Sequence, residues 1–74
     1  MADDTLQKKL GKAIRSNRAA QEISQDAFAD GIGMHRAYYS SIERGERNLT
    51  INTLQRVAEG LGIKLSQLLR EAGN

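Results

Sequence analysis

The chain has 74 residues, a mass of 8.2 kDa, no cysteine, no proline and one histidine, which excludes disulfides, thiolate metal centres and a thiol nucleophile and leaves room for one small domain with a thin core. Eleven Lys and Arg against nine Asp and Glu give a formal charge of +2 and an isoelectric point near 9.3; a polyanionic partner fits this balance, but so do many soluble proteins. No apolar run approaches the ~20 residues of a membrane span, and the acidic start Met1-Ala2-Asp3-Asp4 is unlike a secretory signal, so a cytoplasmic protein is expected.

The three aromatic residues, Phe28, Tyr38 and Tyr39, and the many Ala, Leu, Gln, Arg and Glu favour helix over sheet. Asp4 or Thr5 caps a first helix, with Asp3 and Asp4 suited to its positive end. Leu6, Leu10, Ala13 and Ile14 recur at helical spacing until the helix fades near Ala20 to Gln21. Lys8, Lys9, Lys12, Arg15 and Arg18 lie among them, as a phosphate-facing surface or an ordinary solvated one. Gly11 inside this helix costs about 1 kcal/mol against alanine, which close helix contact or DNA approach would each justify. Ser24 caps a second helix, with Phe28, Ala29 and Ile32 on its apolar side and Gly31 and Gly33 at its end. His35 starts a third helix that runs through Tyr39 and Ile42 and stops at Gly45. Thr50 caps a fourth, with Ile51, Leu54, Val57, Ala58 and Leu61 on one face and Gly62 as its stop. Ser66 to Glu71 forms a short fifth, to which Leu65, Leu68 and Leu69 add apolar weight. The expectation is an all-α, five-helix bundle filling residues 1–74.

The informative stretch is Ile23 to Gly45, ISQDAFADGIGMHRAYYSSIERG. Ala29 lets two short helices approach, Gly33 turns the chain, Met34 plugs the angle, and Tyr39 and Ile42 anchor the second helix. Arg36, Ala37, Tyr38 and Ser41 are then expected on its outer side. A helix braced in this way can enter a major groove, as in a helix-turn-helix over about residues 24–45.

From about Leu10 to Leu69 the sequence resembles the Cro/lambda-repressor type of helix-turn-helix regulators. Ser40-x-x-Glu43-Arg44-Gly45, the later Ala58-x-x-Leu61-Gly62 and Gln25 at the start of the second helix carry the resemblance. Within that family, GMHRAYYSSIERGERNLT looks most like the controller proteins of restriction-modification systems, small dimeric regulators. It departs from their usual Gly-Leu-His-Arg-Thr-Tyr-Ile-Ser at Met34, Ala37 and Tyr39. Ala37 replaces a hydroxyl in the readout helix and puts the family's base contact there in doubt. The resemblance implies a regulator that binds double-stranded DNA as a homodimer on a palindromic operator, with RNA polymerase as a candidate further partner through an acidic patch that could include Glu43 and Glu46. It also implies that Arg18 pairs with Glu43 as a mainly structural tie between the first and third helices.

The residue chemistry supplies roles. Arg36 can fork onto guanine O6 and N7, or clamp a phosphate. Tyr38 can reach a phosphate or a thymine methyl, or only pack; Ala37 offers a methyl, and Ser41 reaches base or phosphate. Ser24, Gln25, His35, Arg44, Arg47 and Asn48 are candidates for the DNA backbone, Gln25 at a helix start where free N–H groups suit a phosphate. Arg44 has the alternative of balancing Glu43 or Glu46. The apolar residues of 49–69 exceed what a small core hides easily, so a dimer seam is expected at Ile51, Leu54, Gln55, Ile63 and Leu65. No catalytic residue, metal site or cofactor is expected: His35 has no partners for a triad, and Asp26 and Asp30, four apart on one helix, read as solvated charge. The competing readings are a phage-type repressor, an autorepressor, and an antitoxin. Few residues precede the first helix and the sequence stops soon after the fifth, which disfavours a toxin-wrapping segment.

Overall fold

The computed structural model describes residues 5–73, so the expectations for Asp3 and Asp4 lie outside the described residues. Five helices follow one another: α1 Leu6–Ala20, α2 Gln25–Gly31, α3 Arg36–Glu43, α4 Ile51–Leu61 and α5 Leu65–Gly73. No strand occurs among the described residues. Three of the starts are hydroxyl caps. Thr5 accepts from the Lys8 N–H at 3.2 Å, Ser24 from Ala27 at 3.1 Å and Thr50 from Thr53 at 3.2 Å. Each satisfies one of the amides that a helix start leaves without a partner. His35 holds the cap position of α3 but makes no side-chain cap bond. α5 is longer than the Ser66 to Glu71 expected, because Leu65 and Ala72 extend its apolar stripe and Ala72 is buried.

α1 packs along α3 and α5, α2 lies on α3, and α4 lies on α5. Ile14, Tyr39, Ile42, Val57 and Leu68 are the largest fully buried side chains, and Phe28 tilts against Tyr39 with ring centroids 5.1 Å apart. Burying each such side chain is worth about 1.5–3 kcal/mol. The role of Gly11 is now decided. A Cβ there would lie 2.5 Å from the backbone oxygen of Glu43 and 2.7 Å from that of Ile42, so the glycine lets α1 touch the end of α3 backbone to backbone.

Candidate nucleic-acid interface

α2 and α3 are joined by a turn that carries its own bonds. The Met34 N–H donates to Ala29 O at 2.8 Å and the Gly33 N–H to Asp30 O at 3.1 Å. Gly33 has φ +68°, in the left-handed region where a side chain is strained. Arg56 reaches across from α4, donating from Nε to Ile32 O at 2.9 Å and from Nη2 to Gly33 O at 2.8 Å. A cation therefore sits on the carbonyl end of α2, where the helix dipole favours it. Sequence reading missed Arg56, since its partners are backbone atoms more than twenty residues away.

The end of α3 is held by one carboxylate. Arg18 grips Glu43 in a fork, Nε to Oε2 at 2.6 Å and Nη2 to Oε1 at 3.1 Å. Gln25 Nε2 donates to Oε1 at 2.7 Å, and the Tyr39 hydroxyl donates to Oε2. The third arm of Arg18 donates to Ile23 O at 2.7 Å. The Glu43 side chain is only 2% exposed. Burial pushes its carboxyl upward, but the bonds from Arg18, Tyr39 and Gln25 outweigh this and hold it below the ordinary carboxylate range. Glu43 in turn raises Arg18, while burial and the Glu43 charge push the Tyr39 phenol far up. One ionised group thus ties α1, α2 and α3 together. The expected pairing of Arg18 with Glu43 is what the structure contains. The Gln25 amide nitrogen is bonded to Glu43, so the residue serves the fold as well as standing at the helix start. One expectation changes here: Glu43 is buried, so it is no surface acid for a polymerase.

On the other side of α3, His35, Arg36, Ala37, Ser40 and Arg44 line a shallow recess open to solvent. Arg36 pairs with Asp26 of α2, Nε to Oδ1 at 2.8 Å. Arg44 holds Glu46 through two bonds of 3.0 and 3.2 Å and donates to Ser40 Oγ at 2.8 Å. Each raises the other's ionised form: Arg44 is shifted up by Glu46, and Glu46 down by Arg44. Tyr38 is half-buried, with the Arg47 guanidinium 5.1 Å from its ring centroid. That is cation–π distance. Asn48 accepts from Gln7 of α1, which ties the segment after α3 to the first helix.

Ser41 is corrected. It is buried, because the chain folds back over it. Its Oγ donates to Tyr38 O at 2.6 Å and accepts from Arg47 Nε at 2.9 Å. The Glu46 N–H also donates to its carbonyl at 3.0 Å. Ser40, which sequence reading passed over, is half-buried and lines the recess instead. Leu54 is corrected as well: it is 5% exposed and belongs to the core of its own chain, so a charge there would break the fold before any seam. Ile51 is 65% exposed, Gln55 is exposed and donates to Glu59, and Ile63 and Leu65 are half-buried against the core. Among the described residues no group of His, Asp or Glu could hold a metal, and no helix is long and apolar enough to cross a membrane.

The helix-turn-helix family profile matches residues 14–68. Control protein C.MunI of a Mycoplasma species is 46% identical over 81% of this chain and 78% of its own. The clp gene regulator ClgR from C. glutamicum superposes with a TM-score of 0.89 at 30% identity, over 93% of this chain and 88% of that one. The restriction-modification controller protein C.Esp1396I, solved as a tetramer with its natural 35 base-pair operator, gives 0.80 at 30% identity over 93% and 96%. The match spans the capped α2, the Gly33 turn, the Glu43 tie and the helices that follow, and this protein belongs to the helix-turn-helix family, in the company of the restriction-modification controllers.

Proposed function

We propose that the protein is a transcriptional regulator, not an enzyme, that reads a palindromic operator as a homodimer in the cytoplasm and controls a restriction-modification system. The observation that carries this reading is the division of α3. Tyr39, Ile42 and Glu43 fix one side in the interior, while Arg36, Ala37 and Arg44 stand exposed around a recess that half-buried Ser40 also lines. A short helix gripped along one side and displayed along the other suits a major groove. Arg36 and Ala37 are the base readers in this account, with Ser40 beside them and Tyr38 at the edge. Arg44, Arg47 and Asn48, after the helix, serve the flanking phosphates. Ser24 and His35, at the starts of α2 and α3, are further backbone contacts in this reading.

One such helix covers about half a turn of duplex, too little to single out a site in a genome. Two copies are therefore required, and the likeness to an operator-bound tetramer supports pairing. Ile51 and Gln55, with Ile63 and Leu65 at the margin, are the proposed seam. Glu46 is the surface acid that remains for a contact with RNA polymerase.

Selection of bound duplexes from a random pool, at near-physiological salt, tests the reading. A palindromic consensus with half-sites about 34 Å apart is expected. Recovery of no consensus, with binding that vanishes as salt rises, would leave phosphate attraction alone and refute it.

A further inference from the structure

We infer that Asp26 is a positioning residue for base recognition: it holds Arg36 by its Nε, so that the two terminal nitrogens are what the arginine offers to a guanine. The inference rests on the DNA-reading role of Arg36 proposed above and adds what makes that residue selective.

The nearest approach of the pair is through Nε: Arg36 Nε lies 2.8 Å from Asp26 Oδ1, an ion pair and not a directed hydrogen bond. A guanidinium has five N–H donors, one on Nε and two on each terminal nitrogen. Guanine takes two of them, at O6 and N7. Bracing by Nε therefore leaves the guanine-reading end free and limits the rotation of a long side chain. Asp26 is itself fixed in the first turn of α2, two residues after the Ser24 cap, where the positive helix end favours a carboxylate. α2 is tied to α3 through Gln25 and Glu43, so the brace and the braced residue belong to one rigid unit.

Folding gives little reason for this pair. The two side chains are 68% and 66% exposed, and ion pairs in that setting add little to stability. Nor does simple attraction to DNA: a carboxylate on a surface approaching phosphates weakens every encounter. It makes sense where discrimination matters more than raw affinity, because it offsets the charge that would otherwise seize any phosphate.

The test uses the full chain and a duplex selected by the wild-type protein. Affinity is measured for that duplex, for the same duplex with the α3-facing guanine replaced, and for an unrelated duplex, at one salt concentration. Wild type should discriminate against the replaced guanine by about 10–100-fold. Asp26→Asn and Asp26→Ala should cut this to about threefold or less, raise affinity for the unrelated duplex severalfold, and lower the urea midpoint only slightly, as the loss of one carboxylate at a helix start does. Full discrimination in both variants, or an equal gain on all three duplexes, overturns the inference while the regulator reading stands. A wild-type protein that selects no duplex, or an Arg36→Ala variant with unaltered base preference, overturns the role of Arg36 and the inference with it.

Discussion

Two arginine–carboxylate pairs flank the reading helix at almost the same separation, 2.6 Å for Arg18–Glu43 and 2.8 Å for Arg36–Asp26. Their surroundings are opposite. Glu43 is buried, and its oxygens are filled by Arg18, Gln25 and Tyr39, whereas Asp26 and Arg36 stand in solvent. Distance alone therefore says little about what an ion pair does. Burial and the number of further partners decide it. The inner pair fixes the helix in place. The outer pair adds little to stability, so its part lies in where it holds Arg36.

The largest expected effect contrasts the two arginines directly. Arg18→Met strands a buried carboxylate and should lower unfolding free energy by about 3–5 kcal/mol. Arg36→Met should lower it by less than about 1 kcal/mol. Urea unfolding at neutral pH measures both, and equal losses would break the comparison. Acid sharpens it. The Glu43 carboxyl titrates lower in the folded chain than in the unfolded one. Its contribution is therefore complete above the ordinary carboxylate range and is lost as pH falls through the folded value. Glu43→Gln should start less stable at neutral pH and lose stability less steeply below about pH 5 than the parent chain; parallel slopes would remove the inner pair from the acid response. The smallest effects belong to the outer face and are read on DNA. Arg36→Ala should cost about 1–3 kcal/mol on the selected duplex with the base preference relaxed. Arg44→Ala should weaken all duplexes alike and reduce the salt slope by about 1. A sequence-selective loss in Arg44→Ala would move it into the base-reading set.

Much of the fold is legible because local rules govern it. The hydroxyls Ser24 and Thr50 cap their helices, Gly33 and Gly62 take left-handed conformations at turns, and Tyr39 and Ile42 of α3 and Val57, Ala58 and Leu61 of α4 point inward. The site is legible where helix periodicity is enough, as for Arg36 and Ala37. It is illegible where a different segment decides. Ser41 lies on the outer arc of α3 by period, yet the returning chain and Arg47 cover it. Gln25 has the residue type and place of a phosphate contact, but Glu43 competes for its amide from eighteen positions away. Leu54 shares a stripe with exposed Ile51, and tertiary packing of α4 separates the buried residue from the open one.

The bonds from Arg56 to the turn carbonyls reach beyond the turn itself. α4 begins at exposed Ile51 and is fastened at Arg56 to the hinge between α2 and α3. With subunits joined through the start of α4, seam and reading helix become parts of one stiff lever. The proposed dimer would then act as a gauge of fixed jaw width. Each base pair inserted between half-sites swings the second one by about 35° around the duplex axis. To the extent that the Arg56 bonds hold α4 to the turn, the DNA itself must twist or bend to close the difference. Spacer length and spacer flexibility thereby become part of what is recognised, at positions no side chain touches.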